Sequence, residues 1–469
     1  MERPRSIRKV TPPVTLVAPP PIPRAAGSLP VLGHAIQLMR DNLGFIASLR
    51  ALYGPLVEIR LQPGTRTLVV QDPDLIRTML TDLGPSLDKG RFFEKMGQVL
   101  GDSVVTASGR PHVHRRRRLQ PAFARAEIAR YVAVMRRRAD AAVDRWRPGR
   151  RLDVHRAMVD LSLDMLVRTV FSGSLDDEAF RRVRENLSTV MRGVGIRVVL
   201  PDWAERLPLP HNRRFEAARA AVRTTVTRAV AELEATGHDT GDMLSLMLRS
   251  PDEETGLPLT GDQIASEILT LAVAGTETTA SVLSWALYEL ARHPDAEARL
   301  LAELRQTLGE RPVAFEDLPR LTYLRRVVDE VLRLHHTGWL VTRRTVTETS
   351  LGPWTVPAGT ELAYCQHALH RDPALFPHPL RFDPDRWLDS AQPPPSHAFL
   401  PFGAGRHKCI GDRFAVTEVM TALATIVRRV RLEPPRGRSV RPVAQATVRP
   451  RSLVMTVRRR AAPPVRPAA

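Results

Sequence analysis

Two stretches of the 469-residue chain put reactive side chains where ordinary packing does not ask for them. The first, "PFGAGRHKCIG" from Pro401 to Gly411, holds Cys409, one of only two cysteines. Cysteine is a ligand or nucleophile as the thiolate, so it needs surroundings that lower its pKa. Gly403, Gly405 and Gly411 let the backbone bend tightly and come close to something flat or bulky. The following run, "IGDRFAVTEVMTALATIVRRV", predicts a helix whose N-terminal N–H groups aim at the sulfur. Arg406, His407 and Lys408 add positive charge, and together these features favour a thiolate. A lone cysteine without a CxxC partner builds no structural zinc site, whereas haem iron takes a single thiolate. The ordinary alternative is a small buried cysteine beside a glycine turn.

The second stretch is "AGTETT", Ala274 to Thr279, midway along a run from about Gln263 to Arg292 that is apolar on most sides. That run predicts a long buried helix closed by Pro294. Four hydroxyl or carboxyl side chains in a row are costly to bury without partners. Threonine can bond back to the carbonyl four residues earlier and bend the helix, and Gly275 leaves room on one side. A polar notch facing a cavity is the expected result. The alternative is a kinked helix whose hydroxyls are satisfied locally.

A formal charge of +19 and a pI near 11.1 raise nucleic acid as a partner, and "RPHVHRRRRLQPAF" at Arg110–Phe123 is the strongest single argument for it. Against it, the cations are nearly all arginine and alternate with glutamate along helices such as "RRVRENLSTVMR", which fits a GC-rich coding bias. Two cysteines cannot form a disulfide framework and point to a reducing compartment, the cytoplasm. No apolar stretch reaches the ~20 residues of a membrane span.

The elements that must position these residues read as follows. Residues 1–27 form a Pro-rich arm, 28–460 one domain and 461–469 a flexible tail. "LVEIRLQP" and "RTLVVQD" alternate around a Pro-Gly turn as a hairpin, and "PDLIRTMLTD" is helical. From about Pro111 to Arg305 the pattern is mostly helical, and short strands return in "VTRRTV", "TSLGPWTVPAGTELAYC", "VRLEPP" and "SLVMTVRR". The fold class is mainly α with a smaller β region.

"FGAGRHKCIG" resembles the haem-binding loop of cytochrome P450 enzymes in its Phe, its spaced glycines, its basic residue two before the Cys and its Gly two after. The resemblance implies that fold, with haem b between the long central helix and the Cys loop. It implies Cys409 as the axial iron ligand, Phe402 against the thiolate side and His407 on a propionate. Glu277 and Thr278 match the acid–alcohol pair that holds water and relays protons during oxygen activation. Aligning on "PAF" places His112 and Arg116 at propionate-binding positions, with Arg343 in "LVTRRT" joining them and Arg344 its near competitor. "EVLRL" and "FDPDRW" match a structural network of Glu330, Arg333 and Arg386. The family often has Pro where this chain has Arg406.

The implied activity is a haem-thiolate monooxygenase that uses O2 to oxidise a C–H bond. Electrons would come from a ferredoxin and an NAD(P)H-dependent ferredoxin reductase, and the basic residues around Cys409 suit an acidic partner. The expected pocket is apolar, lined by Phe92, Phe93, Met96, Leu271, Ala274, Gly275, Trp339 and Leu340, so the substrate is hydrophobic. "GSLPVLGHAIQLMRD", "LPLPHNRRF" and "GWLVTRRTVTE" resemble actinomycete members of the family that oxidise sesquiterpene hydrocarbons such as pentalenene. Fatty acids, polyketides and steroid-like molecules, or peroxygenase and isomerase chemistry, are the alternatives. A monomer without nucleic acid is expected.

Overall fold

The computed structural model describes residues 20–30, 32–61, 66–172, 175–199, 207–237, 241–252, 256–388, 397–434, 439–445 and 447–460. Residues 1–19 of the expected arm and the tail 461–469 lie outside these. Pro20–Gly27, the end of the expected arm, is fastened to the body. Ala25 N donates to Glu58 O and Glu58 N to Pro23 O, and Ala25 is buried.

The long helix runs Gly261–Arg292 and organises the molecule. Thr260 starts it with a capping box: its hydroxyl accepts from Gln263 N, and the Gln263 side chain accepts from Thr260 N. Pro294 opens the next helix, Pro294–Leu308, at a position where its missing N–H costs nothing. Helices Val154–Val170, Pro210–Thr236, Thr322–Leu334 and Asp412–Arg429 pack around the long helix. Its buried apolar residues therefore run through the largest of three cores.

The main sheet holds five strands in the order Leu56–Ile59, Thr67–Val70, Glu361–Tyr364, Val341–Thr345, Leu87–Asp88. The first two form the expected antiparallel hairpin, with Leu56 opposite Val70, while Thr67–Val70 pairs in parallel with Glu361–Tyr364. A second core lies between this sheet and helix Pro73–Leu80, and a third under helix Ala35–Tyr53. Strand Val454–Arg459 joins Val430–Glu433 to Arg151–Asp153. Strand Arg151–Asp153 lies within the region read as mostly helical; a turn at Pro148-Gly149, with Gly149 at φ 79°, sets it off from the preceding helix.

Candidate active site

The Cys409 loop is bent by two glycines in the left-handed region, Gly403 at φ 68° and Gly405 at φ 66°. A side chain at Gly405 would place its Cβ against Leu80 O, so only glycine lets the loop lie on the end of helix Pro73–Leu80. Cys409 N donates to Phe402 O (2.9 Å), and helix Asp412–Arg429 starts three residues later. Cys409 is exposed although protein surrounds it on most sides, so it stands on the wall of a concavity.

The helix N-terminus and the nearby cations that favour a thiolate work against burial in this loop. Burial pushes the Cys409 thiol upward; the Gly411 N–H, Arg116 and Lys408 pull it down by less, and Asp412 opposes them. The helix terminus and nearby cations are present as expected, but desolvation outweighs them. A metal coordinated at this sulfur would ionise the thiol outright.

Beside the sulfur, cationic groups converge. The rings of His112 and His407 stand 4.4 Å apart. Burial, with the charges of Lys89, Arg116, Arg406 and Arg343, lowers His112 to about 3. Burial, then Arg343, His112, Lys89 and Arg406, lowers His407 to about 2. Nδ1 of His112 and both ring nitrogens of His407 are buried without a hydrogen-bond partner. Arg343 is 6% exposed and donates to Thr342 O (2.7 Å), whereas Arg344 is taken by Asp88 and Glu94. Arg116 donates to Lys408 O (2.6 Å), tying its helix, Gly109–Leu119, to the loop.

Lys89 was not singled out from sequence. It is buried, donates to Val104 O and Val105 O, and is lowered to about 7 by burial and Arg343. Its neighbour on the long helix is Glu267, raised to about 7 by burial and bonded by Val104 N and Arg115. Its scarcity was a signal, since the chain has lysine at only four positions. Unpartnered donors and crowded cations of this kind fit a ligand that brings two carboxylates, as haem does, next to a thiol that can take its iron. The basic run is thereby spent inward: Arg115 bonds Glu267, Arg116 bonds Lys408 O and Arg118 bonds Ser250 O and Leu257 O.

Along the long helix, Ala274, Gly275, Glu277 and Thr278 are half-buried while Thr276 and Thr279 are buried. A Cβ at Gly275 would meet nothing within 4 Å. Thr278 Oγ1 donates back to Ala274 O (2.7 Å), the expected local bond. The notch is therefore present, with Thr278 on its open side and Glu277 turned toward Arg449 (3.6 Å). Of the expected pocket residues, Met96, Leu271 and Phe93 belong to the large core alongside this helix. Phe92 is 42% exposed and touches Phe93 edge-on. Trp339 and Leu340 pack instead on the third core, and the Trp339 indole donates to Gln445 O (2.7 Å).

Glu330 and Arg333 are both fully buried on helix Thr322–Leu334 and form two bonds, of 2.8 and 2.9 Å. Glu330 also accepts from Asp383 N and Trp387 Nε1, with Arg386 Nε at 3.5 Å. Arg386 is the looser member; its guanidinium donates to Pro377 O (2.7 Å). Arg333 goes on to His370 O, Pro379 O and Arg381 O.

A mainly helical body with a buried Glu–Arg pair, a glycine-bent cysteine loop and a cationic cradle beside it defines a haem-thiolate protein. The sequence matches the family described as Cytochrome P450 over residues 20–458, and the chain belongs to that family, with haem as its cofactor and an oxidoreductase activity. It is 44% identical to cyclooctat-9-en-7-ol 5-monooxygenase of Streptomyces melanosporofaciens, over 90% of this chain and 92% of that protein. It is 37% identical to pentalenene oxygenase of Streptomyces avermitilis, over 90% and 94%. The crystal structure of the cytochrome P450DA heme domain superposes with a TM-score of 0.83 at 27% identity, covering 95% of this chain and 99% of that one.

Proposed function

We propose that the protein is a terpene monooxygenase in which Cys409 binds the haem iron and His112, Arg116, Arg343 and His407, joined by Lys89, hold the propionates. The observation that carries the site assignment is the set of buried, unpartnered nitrogens on His112 and His407 among like charges, next to Cys409. The terpene is supported by the relatives, whose names describe oxidation of cyclooctat-9-en-7-ol and of pentalenene. The haem, when bound, supplies oxygen activation and C–H oxidation. The chain supplies position and protons. Apolar side chains around Leu271, Ala274 and Met96 exclude water and leave shape as the main source of selectivity. The Thr278 hydroxyl, seated on Ala274 O, holds a water in the notch, and Glu277 passes protons to it. Phe402, partly buried against the large core, shields the sulfur side. Electrons come from a ferredoxin and its reductase, docking near Arg406, Lys408 and Arg413.

No helix among the described residues is long and apolar enough to cross a membrane. A cytoplasmic location follows on this reading from two free thiols. The test is the reduced, CO-bound spectrum of the purified protein, followed by turnover of a panel of cyclic sesqui- and diterpenes with added ferredoxin, reductase and NADPH. A strongly red-shifted Soret band and one oxygenated terpene product are expected. A spectrum of histidine-ligated type refutes the ligand assignment, and conversion of fatty acids but of no terpene refutes the substrate class.

A further inference from the structure

The carboxylate of Glu277 does not point into the notch unaided. Its partner, Arg449, comes from the far end of the chain, on the antiparallel hairpin Pro442–Ala444 and Val448–Pro450. Elements remote in sequence fasten this hairpin. Asn42 Nδ2 donates to Ala444 O (2.9 Å), Trp339 Nε1 to Gln445 O (2.7 Å) and Val448 N to Thr337 O (2.7 Å). Within it, Arg449 Nη2 donates to Gln445 Oε1 (3.3 Å). A guanidinium on so well-anchored a hairpin is a fixed point against which the Glu277 carboxylate rests.

Arg449 also lines a cavity of about 1320 Å³ that opens between helix Ala35–Tyr53, the segment Cys365–Pro373 and this hairpin. Asn42, Arg50, Arg371 and Gln445 share its wall with apolar side chains such as Leu38 and Ile76, so polar and charged groups face its open space on one part of the lining. Arginine clusters are common on a chain this rich in arginine, and six of them around one cavity do not by themselves make an anion site. The contact with Glu277 is the informative feature: through Arg449, which lines the cavity, it links that open space to the notch of an otherwise buried helix. His155, lowered to about 4 by burial and by Arg449, marks the dry side of the same guanidinium.

We propose that Arg449 is a positioning residue for proton supply: it holds the Glu277 carboxylate between the hairpin-side cavity and the notch, and solvent protons reach Glu277 through that cavity. This inference rests on the reading of Glu277 as the acid of the relay. Both side chains keep about a third of their surface exposed, 29% for Arg449 and 34% for Glu277, so the pair can loosen to let the carboxylate turn. A half-exposed ion pair of this kind is worth at most about fivefold in an equilibrium, which sets the scale of the effect.

The test compares holoenzyme of wild type, Arg449→Ala, Arg449→Lys, Glu277→Gln and the Arg449→Ala/Glu277→Gln double variant, supplied with ferredoxin and reductase. Arg449→Ala should keep haem content and the thiolate-type CO band. It should slow oxygen consumption about fivefold, enlarge the solvent deuterium isotope effect and shift the C–O stretch of the ferrous CO complex. Arg449→Lys should restore all three. In the Glu277→Gln background, removing Arg449 should change nothing further. Unaltered oxygen consumption and C–O stretch in Arg449→Ala overturn the role of Arg449 and leave that of Glu277 standing, as does equal slowing in both backgrounds. If Glu277→Gln itself matches wild type in rate and isotope effect, the reading of Glu277 fails and the inference falls with it. Arg449→Gln, which keeps the stem and two donors, replaces the alanine variant if that one does not bind haem.

Discussion

Removing the Glu330 side chain should cost the protein its haem before it costs any chemical step. Glu330 and Arg333 have no exposed surface, and the Glu330 carboxylate receives Arg333 Nε and Nη2, Asp383 N and Trp387 Nε1, at 2.8 to 3.1 Å. Glu330→Ala leaves the Arg333 charge buried with only carbonyl partners, a loss of about 3–5 kcal/mol. Asp383 N and the Trp387 indole also lose their acceptor, at roughly 1–3 kcal/mol each where no water replaces it. These terms overlap, since one relaxation can relieve several of them. Even the lower figure is a large share of the ~5–15 kcal/mol that separates folded from unfolded protein. The assay is haem-to-protein ratio after purification, with urea denaturation of whatever remains soluble. Expected outcomes are apoprotein or aggregate for Glu330→Ala and a milder loss for Glu330→Gln, which keeps an acceptor but no charge. Glu330→Ala with full haem content, a wild-type urea midpoint and only slower turnover would refute the structural assignment.

Cys409→His should abolish the thiolate-type CO spectrum, while Cys365→Ala should keep it, because Cys365 is buried and its thiol is pushed up to about 12. Thr278→Ala should keep haem and substrate binding but lower product per NADPH, near the low end of the ~10²–10⁴-fold typical of acid–base steps since water can substitute; unchanged coupling would assign the notch to structure. Acid should destabilise the fold through His336, His367 and His370, all held below the ordinary histidine value first by burial. The unfolded chain takes up protons below about pH 6.5 that the folded one refuses, so stability falls with pH there by up to ~1.4 kcal/mol per unit per histidine. Urea midpoints at pH 7.5, 6.0 and 5.0 check this, and His367→Phe should flatten the slope.

What could be read from sequence divides along a physical line. The long helix, the hairpin at Leu56–Val70 and the helix after Cys409 follow from period and turn residues, which are local. The notch was legible because four polar residues interrupt an apolar helix, a contradiction visible without coordinates. The strand Arg151–Asp153 was not, since three residues carry no period and their partner lies some 300 positions later at Val454–Thr456. The docking of Pro20–Gly27 lies beyond what composition can show, because Pro23 and Ala25 use backbone groups that composition does not reveal. The charges beside Cys409 are written in sequence, whereas the desolvation that opposes them is not. Lys89 and Arg449 meet the site only through contacts of long range, with Glu267 in one case and Glu277 in the other.

The scaffold and the ligand loop turn out to be one connected object. Arg333 donates to His370 O, and the ring of His370 accepts from Leu400 N at 3.0 Å. His336 Nε2 donates to Pro401 O at 3.0 Å, and Gln366 donates to Leu400 O. Leu400 and Pro401 are the residues from which the loop to Cys409 departs. A disturbance at Glu330 therefore reaches the Cys409 loop through Arg333, His370 and Leu400, all of them buried. Neutral His370 is required for this chain of bonds, because its Nε2 accepts from Leu400 N. Protonating His370 at that nitrogen would turn an acceptor into a donor facing Leu400 N–H. Acid should accordingly loosen the Cys409 loop before the helical core unfolds. Following the CO band and far-UV circular dichroism together from pH 7.5 to 5.0 tests this: the thiolate-type band should fall first, and simultaneous loss of both signals would show that the loop has no separate weakness.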